Sequence, residues 1–257
     1  MNMGRLLFLV RRDLKILRRV KWRVMEMLYF PVTTVIIWGL FARAAPRDAV
    51  AVALAILAVN VFWNFAYAAQ STTNMQINED LWSGSIRQVL MTGVTGGEYI
   101  AARIVFALMM SVPVGAVLMA VAWGFGFTVH GMYLASAASI AITTLASVGL
   151  AVLVAAAVFT LGKEYSFLAW TVIQIFVMLS APFYAPEALP AWMEYVSRAM
   201  PFTDAFAVAR LVAAGAPVEG ILLRRGFLVA GLYVAASMPL YLLAFRRARV
   251  TGMLARL

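Results

Sequence analysis

An all-α integral membrane fold is predicted for this chain, on three observations. Of 257 residues, 64% are hydrophobic and only 12% charged, at a mean hydropathy of +0.90, whereas soluble domains carry about 25% charged residues. Apolar runs long enough to cross about 30 Å of hydrocarbon as helices recur along nearly the whole length. The connections between them are short, which forces neighbouring helices to run antiparallel. Residues 1–23 are predicted as an N-terminal cytoplasmic amphipathic helix and 24–257 as a six-span membrane unit, with no separate soluble domain and no removable signal peptide.

In order along the chain, residues 5–23 place Leu6, Leu9, Leu14, Leu17 and Val20 at roughly helical spacing among Arg11, Arg12, Lys15, Arg18, Arg19 and Lys21. That pattern predicts a helix lying on the membrane surface. A first span is expected over about 24–43 and, after the turn AAPRD, a second over about 49–76. A polar segment, 77–98, separates it from a third span at about 100–123. GFGFTVHGM leads to a fourth span at about 133–161 and a GKE turn to a fifth at about 165–182. Residues 183–220 are interrupted by prolines, and a sixth span covers about 221–245.

Basic residues set the orientation. Arg5 to Arg23, Arg87, Arg103, Lys163, Arg246, Arg247, Arg249 and Arg256 fall on one side and outnumber Arg43, Arg47, Arg198, Arg210, Arg224 and Arg225 on the other. Both termini, the 77–98 segment and the GKE turn are therefore expected in the cytoplasm. The formal net charge of +10 is placed beside spans, where it meets anionic lipid, and no nucleic-acid partner is expected.

Asn60, Asn64, Tyr67, Ser71 and Asn74 share one stripe of the second span. They either line a translocation path or hydrogen-bond across a helix interface. Ala135, Ser139, Thr143, Ser147, Ala151 and Ala155 form a stripe of small residues in the fourth span, read as a packing seam. Trp63, Phe65, Trp170 and Phe176 suit either an aromatic or glycan substrate or plain packing and interfacial anchoring.

Enzymatic chemistry finds no support in the sequence. The chain has no cysteine and a single histidine, His130, read as an outer-loop residue; no catalytic cluster and no metal ligands at metal spacing are expected. The only Gly-Lys pair, Gly162-Lys163, lacks the upstream glycine and the Ser/Thr of a phosphate-binding loop. ATP hydrolysis would therefore have to come from a separate polypeptide. No span midpoint holds Asp or Glu, which cation-coupled carriers typically bury.

Two segments resemble permease subunits of the type-two ABC exporter family. NEDLWSGSIRQVLMTGVTGGEYIAARI is similar to the family's segment before the third span through Glu79 or Asp80, Gly84, Ser85, Leu90 and Glu98. LSAPFYAPEALPAWMEYVSRAMPFTDAFAVARLVAAG is similar to its outer segment through Ser180, Pro186, Leu189-Pro190, Trp192, Pro201 and Arg210. The resemblance implies two short re-entrant helices within 183–220. The prolines that break this stretch, beside Trp192, Tyr195, Phe202 and Phe206, suit such pieces. It also implies a dimer of permease chains, as homodimer or heterodimer, with two copies of an ATP-binding subunit carrying ATP and Mg.

A short helix bearing Leu81, Trp82, Ile86 and Leu90, with Glu79, Asp80, Arg87 and Gln88 exposed, can seat in a groove on a soluble partner. The resemblance makes that partner the ATP-binding subunit, and Glu79, Asp80, Trp82 and Arg87 its coupling contacts. The expected function is export of an amphipathic, lipidic, drug-like or lipid-linked glycan substrate across the plasma membrane of a prokaryote. The alternatives are an ATP-independent carrier and a non-transporting scaffold.

Overall fold

A computed structural model describes residues 2–19 and 21–251, except for the side chains of Lys21, Arg23 and Glu26. Val20 of the predicted apolar stripe, the side chains of Lys21 and Arg23, and Arg256 lie outside the described residues. The described residues form ten α-helices: α1 (Met3–Arg19), α2 (Lys21–Ala44), α3 (Val50–Trp82), α4 (Ser85–Met91), α5 (Gly96–Gly124), α6 (Tyr133–Leu161), α7 (Leu168–Leu179), α8 (Ala191–Ala199), α9 (Thr203–Ala213) and α10 (Gly220–Val250). No strand occurs among them.

Five of these helices, α2, α3, α5, α6 and α10, are long and apolar enough to cross a membrane. The expected fifth span differs. Its N-terminal residues form a 3-10 turn, Lys163–Phe167, and its α-helical part is the 12-residue α7, about 18 Å long at 1.5 Å per residue. At its end the Ser180 backbone N–H and hydroxyl both donate back to the Phe176 carbonyl, at 3.0 and 2.6 Å. Ala181 then takes a left-handed φ of +48° ahead of Pro182, and this turn ends the helix.

The segment nevertheless runs antiparallel along α3. Ser166 accepts from Asn78 near the inner end of α3, Ala169 accepts from Gln70 two turns further in, and the Phe183 ring meets Trp38 toward the far end of α2. The longest of the neighbours, α3, has 33 residues, about 50 Å, so its last turns extend well past a hydrocarbon core of about 30 Å.

Two apolar cores are stacked along the bundle. One gathers Leu57, Phe62, Leu118, Ile142, Ile173 and Phe206; the other gathers Leu9, Ile77, Leu81, Tyr99, Phe159 and Phe245 around α1, α4 and the inner ends of α5, α6 and α10. Between them α3 contributes a buried polar belt of Gln70, Ser71, Thr72, Thr73 and Asn74.

The small-residue stripe of α6 is a dry seam. Ser139, Thr143, Ser147, Ala151 and Ala155 are all buried, and the Thr143 and Ser147 hydroxyls donate to carbonyls one turn back on their own helix, each at 2.7 Å. On the same helix Gly149 lets the α10 backbone approach so closely that an added Cβ would lie 3.1 Å from backbone atoms of Tyr233 and Val234. Gly149→Leu is expected to separate α6 from α10 and cost about 1–3 kcal/mol, read as a fall in the thermal-unfolding midpoint of the purified protein, with Gly97→Leu, where a side chain meets open space, as the control.

Candidate functional site

The inner end of the bundle is organised around one buried ionic cluster. In α1, residues 6, 9, 10, 13 and 17 recur at i, i+3, i+4, i+7 and i+11 and turn toward the bundle: Leu6, Leu9, Val10 and Asp13 are buried, and Leu14 and Leu17 of the predicted stripe are half-buried, Leu14 against the same core. Asp13 therefore enters an apolar interface as the one acidic residue of a basic helix. It is met there by Arg103 of α5, which is 0% exposed and pairs with Asp13 through Nη1.

The second nitrogen of the Arg103 fork donates to Asp80 Oδ2 at 2.6 Å. Asp80 also accepts from Arg12 Nη2 at 2.8 Å, Tyr99 OH at 2.8 Å and Ser85 Oγ at 2.7 Å. The Arg103 guanidinium lies 4.7 Å from the Tyr99 ring centroid, a cation–π contact. Two arginines thus face two aspartates, and both Asp80 oxygens are filled. Burial of such charges is tolerable only with extensive compensation; Arg103 Nε alone of its guanidinium nitrogens is buried without a hydrogen-bond partner among the described residues.

The N-terminal end of α1 is fastened as well. Arg5 donates to the Gly93 carbonyl at 2.6 Å, and the Asn2 backbone N–H donates to Glu98 at 2.6 Å. Glu98 closes a capping box with Thr95 at the start of α5. The surface helix is therefore tied to α3 and α5 at two places about two turns apart.

This corrects the exposure expected for the polar segment. α3 does not stop near residue 76 but continues to Trp82, so Asp80 keeps the phase of α3 and points inward at 4% exposure. Leu81 and Ile86 are likewise buried in the chain's own inner core. Gly84, at φ +68°, makes the sharp turn into α4. Exposed are Arg87, Gln88 and Met91 of α4 together with much of Trp82; Glu79 is half-buried and engaged. The Trp82 indole donates to Ser166 Oγ at 3.1 Å and lies 5.2 Å from the Lys163 ammonium, which joins the 163–166 turn to the same surface. A groove of about 420 Å³ between α1 and α4 is lined by Phe8, Arg12, Ile16, Ser85, Gln88 and Thr92.

Along the stripe of α3, Asn60, Asn64, Ser71 and Asn74 are buried, and Tyr67 is half-buried with its ring 5.2 Å from Phe30. Asn64 Nδ2 reaches Thr34 of α2 at 3.0 Å and the Asn60 carbonyl at 2.8 Å. The Nδ2 atoms of Asn60 and Asn74 are buried without a hydrogen-bond partner among the described residues. At the inner end of this helix a cleft of about 220 Å³ has a polar floor, Thr72, Gln76 and Asn78, and apolar walls, Leu17, Phe106 and Trp170. Of the other aromatics weighed, Phe65 packs over Gly115, Phe176 meets Tyr233 edge-on at 5.8 Å, and Trp63 lies against the outer core.

In the outer segment Pro186 and Pro201 are buried, Pro190 is exposed, and Trp192 is exposed on the amphipathic α8. Phe202 and Phe206 are fully buried where α9 packs into the outer core. The Ser139 hydroxyl secures α9 by donating to the Ala205 carbonyl at 2.8 Å. Asp204 of α9 pairs with Arg225 of α10.

Among the described residues no three His, Cys, Asp or Glu side chains converge. This end of the bundle carries an exposed surface, Trp82, Arg87, Gln88 and Met91, tied through the buried ionic cluster to α1, α3 and α5. No curated protein matches the chain significantly. The sequence profile described as ABC-2 type transporter matches residues 5–212, more than three-quarters of the chain, and with its membrane-crossing helices this multi-pass protein belongs to the ABC-2 type transporter family as a membrane transport subunit.

Proposed function

We propose that the chain is the permease subunit of an ATP-driven exporter, working as a dimer of permease chains with two copies of an ATP-binding subunit that carries ATP and Mg. The segment 163–183, which passes from the inner end of α3 to the outer part of α2, completes a six-crossing topology. That topology puts both termini and α4 in the cytoplasm of a prokaryotic cell and α8 and α9 at the outer leaflet, with α9 dipping back into it.

The observation that carries this reading is the Asp13–Arg103–Asp80 cluster. A soluble partner seated on Trp82, Arg87 and Gln88 and in the groove between α1 and α4 pushes on α1, α3 and α5 as one body. The shift re-aims their membrane-embedded parts. Asp80 serves this coupling from inside, as the pivot that holds the three helices, while Glu79, Trp82 and Arg87 stand at or near the contact surface. The inner cleft, with its polar floor and apolar walls, suits an amphipathic or lipidic cargo; Asn60, Asn64, Tyr67, Ser71 and Asn74 continue from it toward the outer side.

Cysteines at Gln88 and Met91 test the contact. In membranes they are expected to crosslink to an ATP-binding subunit within seconds of oxidant addition, with a yield that changes between nucleotide-free and ATP-bound states. Crosslinks to solvent-borne quencher only would overturn the reading. Flux in vesicles that persists without nucleotide would replace it with a carrier, and absence of flux in either condition with a scaffold.

A further inference from the structure

The outer end of the molecule holds a cavity of about 510 Å³ between the start of α3, the 185–187 turn, α9 and the start of α10. Three arginines line it. Arg198 is paired with Glu187 and Glu194, at 2.7 and 2.8 Å, and Arg225 with Asp204. Arg210 has no carboxylate within ion-pairing distance among the described residues; its Nη1 donates to the carbonyls of Ala181 and Pro182, at 2.9 and 2.8 Å.

Those two carbonyls are presented by the left-handed turn at Ala181, a conformation unfavourable for a non-glycine residue. The backbone thus holds one nitrogen of the guanidinium, while Nη2 and Nε make no hydrogen bond among the described residues and Arg210 lines the cavity. Burial pulls the Arg210 pKa below its ordinary value, with Glu187 acting in the opposite sense. Arginine keeps its charge even so, so Arg210 stands in the cavity as a partly buried cation with no direct carboxylate partner among the described residues, Glu187 and Asp204 being held by Arg198 and Arg225.

The rest of the lining says what kind of anion fits. Val52, Ala55 and Leu222, on helices that run into the membrane, give the cavity an apolar flank. Trp192 and Tyr195 of α8 are 68% and 77% exposed, and such rings settle at the headgroup level. A free ion needs no apolar flank; a lipid with a charged head does.

We propose that this cavity binds the phosphate of an anionic phospholipid headgroup, with the open edge of Arg210 as its principal donor and the acyl chains lying along α3 and α10. Its place at the outer leaflet rests on the proposed topology, whereas the binding itself needs neither an ATP-binding subunit nor transport.

Native mass spectrometry of the full-length protein in neutral detergent tests it, with phosphatidylglycerol, phosphatidylcholine of the same chains, and inorganic phosphate as separate probes. One phosphatidylglycerol is expected to stay bound under activation that strips phosphatidylcholine. Its apparent affinity is expected to fall at least tenfold in Arg210→Gln. Ala207→Glu, which places a carboxylate in the cavity without removing any hydrogen bond of Arg210, is expected to give the same loss with an unchanged unfolding midpoint, and it decides the matter if Arg210→Gln does not fold. Equal retention of phosphatidylglycerol in wild type and both variants overturns the proposal. Arg210-dependent binding of inorganic phosphate without preference for phosphatidylglycerol also overturns it, in favour of a free anion.

Discussion

Replacing Arg103 by leucine is expected to cost about 3–5 kcal/mol, because it leaves Asp13 and Asp80 facing each other in an apolar interface with no buried cation between them. Arg103 is wholly buried and holds both carboxylates. Arg12, 22% exposed at its side chain, stands at the rim and still reaches Asp80, but it cannot replace a fork inserted between the two acids. The purified variant should show a sharply lower unfolding midpoint and α1 should become sensitive to protease. Arg103→Lys restores charge but not the two-pronged geometry, so an intermediate midpoint is expected.

A triple variant, Asp13→Leu, Asp80→Leu and Arg103→Leu, is expected to recover at least half of the lost stability, since wholly apolar replacement of a buried ionic group is often neutral. It should not recover transport. Stability lost and regained while flux stays absent separates a coupling role for the cluster from a merely structural one. A triple variant that transports normally would remove the cluster from the mechanism.

Much of the architecture was legible in the sequence because apolar run length is a nearly complete description of what a helix needs in lipid. The five long helices follow from it, as does the seam of α6, whose small side chains admit only close packing. α7 was oversized because hydropathy does not distinguish an α-turn from the 3-10 turn at Lys163–Phe167. The ionic cluster was harder. Its partners are separated by 90, 68 and 23 positions, so no local pattern links them.

Two signals were nonetheless present. Asp13 falls on the same helical face as Leu6, Leu9 and Leu17, and Arg103 sits one turn inside an apolar run, where an ionisable residue implies a partner. Asp80 was misplaced for a related reason. Hydropathy breaks near residue 77 while the helix itself continues to Trp82, and the helical phase carries the carboxylate inward. Gln70 and Asn78 tie α3 to the 166–169 stretch; Gln70 lies off the stripe through Asn64, whereas Asn78, four residues past Asn74, continues it beyond the apolar run that marks the span.

Reversing charge on the exposed face of α4, by Arg87→Glu with Gln88→Glu, is expected to lower ATP-dependent flux at least tenfold with little change in unfolding midpoint. Both side chains are exposed and neither joins the buried cluster, so the fold loses no internal contact. A partner surface that accepts Arg87 must offer acceptors or negative charge, and like charges brought together at an interface cost several kcal/mol. A penalty of about 1.4 kcal/mol already gives a factor of ten in affinity. The defect should appear as weaker association with the ATP-binding subunit. Asp13→Asn should behave differently: α1 loses its charge partner at Arg103, association persists, and ATP is hydrolysed without flux because force no longer reaches α5. If both variants weaken association equally, α1 and α4 form one docking surface and the buried cluster transmits nothing; if neither changes association or flux, the force enters the bundle elsewhere.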